Sequence, residues 1–161
     1  MENSIATALM IIAAVVCAVA IFNAMYPAVI SGSHAMVSMG DRANERLKSQ
    51  VEIIHAAGEA DSSPVLIWVK NIGSLRVDAI NSCDVFFGLE GNFHRVPHDD
   101  YAGEGIYPYW AGEVENGSTW DPTTTLKISI YYDPLDLPSS GRYFIKIVLP
   151  TGVFDEYYFS L

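Results

Sequence analysis

The chain has 161 residues, enough for about one ordinary domain, with 9 Lys and Arg against 19 Asp and Glu. A formal charge of −10 excludes the clustered basic footprint that nucleic acid requires. The hydrophobic half and the 12% aromatic share exclude intrinsic disorder. The two cysteines, Cys17 and Cys83, are too few for a disulfide framework or a Cys-built zinc site.

Charge divides the chain into two objects. Only Glu2 is charged before Asp41, so 27 of the 28 charged residues fall in the remainder. From Ile5 to Phe22 the sequence is almost wholly apolar, and it stays uncharged to Gly40. A spanning helix needs about 20 apolar residues, and residues 5–26 supply them. Ile5, Leu9, Ile12, Val16 and Phe22 are the expected lipid-facing anchors. Tyr26 stands where an interfacial aromatic would sit, and Pro27 is expected to kink or end the helix there. Met1-Glu2-Asn3 carries no base and the apolar run is too long for a signal peptide, so a retained anchor over residues 1–31 is expected. Arg42, Arg46 and Lys48 give only a weak positive-inside signal, because acids are interspersed with them.

Between residues 32 and 49 apolar side chains recur every three or four positions, as in Met36, Ala43 and Leu47. That is a helical period. It predicts an amphipathic stalk that packs on its own domain or on a neighbouring subunit.

From residue 50 to 161 the period changes to two. Strands are predicted at Gln50–His55, Val65–Ile72, Cys83–Leu89, Asn92–Val96, Thr125–Tyr132, Arg142–Leu149 and Val153–Phe159. In Leu126-Lys-Ile-Ser-Ile-Tyr-Tyr132, apolar and polar residues alternate as on a half-buried strand. Turn residues separate the runs, among them Glu90-Gly91-Asn92 and Pro150-Thr151-Gly152. Seven short strands with frequent turns predict an immunoglobulin-like antiparallel β-sandwich, so the chain is mainly β.

Residues 97–124 read as an irregular contact loop rich in Tyr101, Tyr107, Tyr109 and Trp110. His98, Asp99, Asp100 and Glu104 lack the spacing of a known calcium loop and read as a solvated acidic loop. No nucleophile elbow, phosphate loop, dinucleotide fingerprint or zinc spacing is present. Neither enzymatic activity nor a cofactor is expected. Asn116-Gly117-Ser118 is an N-glycosylation sequon, which makes Asn116 a candidate acceptor if the domain faces outward.

Three segments together resemble a known family. They are the uncharged N-terminal helix, the pair Val51-Glu-Ile-Ile-His-Ala-Ala-Gly58 and Pro64-Val-Leu-Ile-Trp-Val-Lys-Asn-Ile-Gly73, and Trp110-Ala-Gly-Glu113. The sequence is similar to the FlaF/FlaG group of archaellum (archaeal flagellum) accessory proteins, and to FlaG (ArlG) within it. The resemblance implies a single-pass anchor in the cell membrane with the sandwich in the pseudoperiplasm. It implies protein partners: a FlaF-like protein, the S-layer and further copies of the chain, in a homo-oligomer or filament that serves motility as a static scaffold. It implies no catalytic residue. Two other readings stay open, a filament-forming archaellin- or pilin-like subunit and a membrane-tethered ligand-binding module.

Overall fold

The computed structural model describes residues 2–161, so Met1 of the expected anchor lies outside the described residues. It opens with one α-helix, α1 (Glu2–Lys48). Eight strands follow: β1 (Val51–Ala57), β2 (Val65–Asn71), β3 (Asp84–Leu89), β4 (Asn92–Val96), β5 (Tyr109–Val114), β6 (Thr125–Tyr131), β7 (Arg142–Val148) and β8 (Phe154–Ser160). A single turn of 3-10 helix at Ile80–Ser82 precedes β3.

The expected stop at Pro27 does not occur, because Pro27 lies inside α1. Keeping the helix costs one backbone hydrogen bond and a ring clash. Ending it would strand about four carbonyl groups in an apolar segment. The predicted stalk is thus the continuation of the same helix. The chain divides into two compact units, Met1–Ala43 and Asn44–Leu161. In the first unit the apolar side chains are exposed all round the helix, the pattern of a segment that meets lipid or other helices.

The last turn of α1 belongs to the second unit. There Arg46 Nε donates to Thr151 O at 3.0 Å, and the Ser49 N–H caps Glu45 O at 2.8 Å.

The strands form two four-stranded sheets with orders β1-β2-β6-β5 and β4-β3-β7-β8. Every pairing is antiparallel. This is the immunoglobulin arrangement, with A-B-E-D on one sheet and C′-C-F-G on the other. Tyr143, at the start of β7, donates its hydroxyl to Ser139 O at 2.9 Å, which is the tyrosine corner of such sandwiches. Seven predicted strands recur within a residue or two of their expected ends. The eighth, β5, falls inside the stretch read as a loop. Its Tyr-Trp-Ala-Gly-Glu-Val is too short and too interrupted by Pro108 and Gly112 to show a period. Tertiary pairing with β6 creates it, Trp110 opposite Ile130 and Gly112 opposite Ile128.

The core lies between the sheets. Val65, Ile67 and Val69 of β2 and Leu126, Ile128 and Ile130 of β6 face Val85 and Phe87 of β3 and Ile145 and Ile147 of β7. Trp110 and Trp120 are fully buried among them. At the joint of the two sheets, β1 carries a bulge after Ile53. The Ile53 N–H there donates to Asp155 Oδ2 of β8 at 2.7 Å, so one edge N–H is satisfied across the sandwich.

Candidate interaction surface

The segment that carried the family resemblance has a structural task. Asn71 ends β2 with its side chain 1% exposed. Its Nδ2 donates to Leu75 O at 2.8 Å and to Trp120 O at 3.2 Å, while its Oδ1 accepts the Gly73 N–H at 3.0 Å. One amide thereby ties the end of β2 to two loops. Gly73 lies against the chain where it leaves α1. A Cβ there would collide with Lys48 O and stand 2.6 Å from Gln50 N. In that space the N–H groups of Ile72 and Gly73 donate to Gln50 O at 3.0 and 2.9 Å, and the Ser74 N–H donates to Lys48 O at 2.8 Å. Asn-x-Gly is therefore a latch between strand end and helix exit, a role the spacing alone does not reveal.

The other sequence-based candidates separate by location. Ile5, Leu9, Ile12, Val16 and Phe22 are exposed on α1, as an anchor to lipid or other helices requires. Met36 and Ala43 are exposed farther along it, and Leu47, in the last turn, is also exposed. Tyr101 is 64% exposed and Tyr107 is 41% exposed, with Tyr109 half-buried between Tyr107 and Tyr131. Trp110 is corrected. It points inward from β5 and is fully buried, because the alternation that turns Tyr109 outward turns its neighbour into the core. Asn116 lies at the exposed tip of the β5–β6 turn, in the left-handed region with φ 58°.

The loop from Pro97 to Pro108 is more ordered than its composition implies. Pro97 O accepts the Trp110 N–H and Trp110 O accepts the Asp99 N–H, both at 2.9 Å, so residues 97–99 run beside β5. The His98 ring stands edge-on to Trp110 with centroids 4.5 Å apart. His98 Nδ1 is 2.6 Å from Asp99 Oδ1, and Asp100 accepts from Asn81 Nδ2 at 3.0 Å. Ligand atoms of His98, Asp99 and Asp100 lie within 4.8 Å of one another, without Glu104.

Tyr107, Tyr109 and Tyr131 form a row, with centroid spacings of 5.4 and 5.1 Å. A cavity of about 310 Å³ lies on one side of Tyr107, lined by Asp99, Glu104, Ile106 and Tyr109. A second of about 380 Å³ lies on the other side, lined by His94, Pro108, Tyr132, Asp133 and Asp136. Burial raises the Tyr109 hydroxyl above its ordinary range, with Tyr107, Tyr131 and Asp99 adding to it. Asp133 and Asp136 escape the sequence reading because they sit in a turn 25 residues and more from the loop they face, and no motif links the two.

The outer face of the second sheet was also missed. Phe93, Phe144 and Tyr158 pack with tilted rings across β4, β7 and β8, with centroids 4.5 and 5.0 Å apart. Arg142 and Lys146 lie over Tyr158 and Phe154. Alternation within each strand was legible, but which strands become neighbours was not.

The archaeal-type flagellin model matches residues 2–159. An uncharacterized protein of Archaeoglobus fulgidus is 30% identical over 163 aligned residues, covering 97% of this chain and 96% of that protein. The archaellum periplasmic stator protein FlaG from Sulfolobus acidocaldarius is similar with TM-score 0.57 and 27% identity, covering 69% of this chain and 99% of that one. The same organism's stator complex of FlaF and FlaG contains a chain similar at TM-score 0.57 and 28% identity, covering 68% and 88%. The archaeal flagellum of Methanospirillum hungatei strain JF1 matches with TM-score 0.69 over 98% of this chain and 92% of that one, and at 14% identity it shows the fold alone. The resemblance read from Val-Lys-Asn-Ile-Gly is borne out in a FlaG-like sandwich, and the chain belongs to the archaeal-type flagellin family.

Proposed function

We propose that this chain is a structural component of the archaellum. Its helix anchors it in the cell membrane, and its sandwich lies outside, in the pseudoperiplasm. There it associates with copies of itself or with a FlaF-like protein and links the motor to the S-layer as a static scaffold. The observation that carries this reading is the likeness to the stator protein FlaG at 27% identity over 99% of that chain. The physical logic agrees. A lone helix in a fluid bilayer offers no fixed reference for a rotor, so the reference must come from protein–protein contact. Met36, Ala43 and Leu47 on α1, with Tyr101, Tyr107 and Tyr109 on the sandwich, are the surfaces proposed for it.

The test is the size of the full chain in detergent micelles, alone and mixed with a FlaF-like protein of the same cell, by light scattering across concentration. A defined complex or growth into polymers is expected. A monomer indifferent to FlaF refutes the scaffold reading.

One observation favours a second reading, a filament subunit. The uncharged part of α1, Asn3–Gly40, spans 38 residues, about 57 Å of helix. Hydrocarbon is only about 30 Å thick. A helix uncharged for nearly twice that depth also suits a packed helical core. Recovery of the native chain in sheared filaments, with a processed N-terminus, supports this reading against the anchor.

A further inference from the structure

We propose that the tyrosine-walled groove on the two sides of Tyr107 docks a cationic segment of a partner protein. It takes Arg or Lys side chains between Asp99 and Glu104 on one side and Asp133 and Asp136 on the other. The inference does not depend on the archaellum reading.

The first support is where charge is left over. In the sandwich, Arg76, Arg95 and Lys127 pair with Asp121, Asp84 and Glu113 at 2.6, 2.6 and 2.7 Å. Arg142 and Lys146 pair with Glu90 and Glu156 at 3.5 and 3.7 Å. Lys70 remains, and the register places it opposite Glu52 and Thr125, at the end of the sheet away from Tyr109 and Tyr131. Among the described residues, none of the groove's four carboxylates is ion-paired with Lys or Arg, and no Lys or Arg lines either cavity; the basic side chains nearby are two histidines, His98 with Nδ1 2.6 Å from Asp99 Oδ1 and His94 in the wall of the second cavity. The Lys and Arg side chains of the sandwich thus pair or lie away from the groove, so its charge is complementary to a cation from outside.

The second support is the wall. Tyr107 and Tyr109 present adjacent, tilted rings beside those carboxylates, with Tyr101 and Ile106 exposed nearby. Ring faces attract Arg and Lys, and tyrosine is enriched at interface centres. The neighbouring volumes of about 310 and 380 Å³ share Gly105, Ile106 and Tyr107 in their walls, which suits an extended segment better than a single small molecule. A neutral sugar would gain from the rings but would leave the carboxylates uncompensated, and an anion would be repelled. A cation satisfies both features.

The third support is placement. In the first sheet, Val51 and Asn71 mark the end where the chain arrives from α1, and Val65, Tyr109 and Tyr131 mark the opposite end. A domain tethered at one end presents the other to partners.

The experiment uses the full chain in uncharged detergent at pH 7.5. The probe is a Gly/Ser peptide punctuated with arginines, followed by fluorescence anisotropy; its Arg→Gln counterpart and a neutral maltooligosaccharide are the comparisons. The arginine peptide is expected to bind, and to weaken as salt rises, since exposed charges are screened beyond about 8–10 Å. Neutralising Asp99, Glu104, Asp133 and Asp136 to Asn or Gln is expected to lower affinity at least about tenfold. Neutralising Asp41, Glu45, Glu52 and Glu59 should change it less than about twofold. Tyr107→Ala weakens binding several-fold and Tyr107→Phe restores it. Should the fourfold variant lose its near-ultraviolet dichroism, Asp136→Lys at an exposed position replaces it, with the same loss expected. Equal losses from both neutralised sets overturn the proposal, as does equal binding of the glutamine peptide. Binding of the oligosaccharide in place of the peptide also overturns it.

Discussion

Asn71→Ala tests the account of the Asn-x-Gly latch. The substitution deletes three side-chain hydrogen bonds, to Leu75 O, to Trp120 O and from the Gly73 N–H. Each is worth about 1 kcal/mol net, more where the abandoned partner stays away from water. The Gly73 N–H keeps its bond to Gln50 O and Trp120 O keeps the Val77 N–H, so the part-buried Leu75 O is the group that must turn to water. The expected loss is about 2–4 kcal/mol, a fall in midpoint of about 10 °C or more for a domain of this size. Asn71→Asp separates the two halves of the amide. It keeps the acceptor for Gly73 but aims a carboxylate at two carbonyls, so at neutral pH it is expected to cost more than alanine. Gly73→Ala should also destabilise, because the obstructing atoms are backbone, Lys48 O and Gln50 N. Urea unfolding followed by tryptophan fluorescence reads the sandwich selectively, since Trp68, Trp110 and Trp120 all lie in it. An alanine variant within about 0.5 kcal/mol of the parent refutes the latch. So does an aspartate variant milder than the alanine one.

Trp110→Ala is expected to cost about 3–5 kcal/mol, as for a large core aromatic; a change under about 0.5 kcal/mol in the same assay would return Trp110 to the surface. Burial, with a contribution from Asp84, pushes the Cys83 thiol up to about 12. Its thiolate is thus about 1,000-fold scarcer than in an ordinary thiol, so a Cys17→Ser chain should resist maleimide at pH 8 until unfolded, and prompt labelling of the folded chain contradicts this. The Thr119 hydroxyl and the Arg76 guanidinium hold the Asp121 carboxyl below its usual range, and the Lys127 ammonium does the same for Glu113. A carboxyl lowered on folding stabilises fully above the ordinary carboxylate range and less as pH falls through its folded value. The Asp121→Asn, Glu113→Gln chain should therefore lose less midpoint temperature than the parent between neutral pH and about pH 3, and an identical slope contradicts the pairing. If the sandwich faces outward, mass spectrometry of the native chain should find a glycan on the Asn116 peptide that Asn116→Gln removes. A bare Asn116 peptide in the native chain counts against that modification.

The sequence by itself determined what depends on composition and local period. The apolar run from Ile5 fixes a long helix, because only a helix satisfies its backbone without water. Alternation in Leu126–Tyr132 and Tyr143–Leu149 fixes strands, because side chains on a strand leave by opposite faces. What needs long-range pairing stayed hidden. β5 exists because Trp110 and Gly112 face Ile130 and Ile128, and the same pairing moves Trp110 from an apparent contact loop to the core. Pro27 reads as a kink or a stop, yet α1 runs through it to Lys48, because ending there would leave carbonyl groups unpaired in an apolar segment. The meaning of Asn71 and Gly73 depends on Lys48, Gln50, Leu75 and Trp120 being brought around them. The groove depends on Asp133 and Asp136 arriving beside Tyr107. A hydrophobic period states which face a residue takes; only the closure of two sheets over one core decides which distant residue it meets.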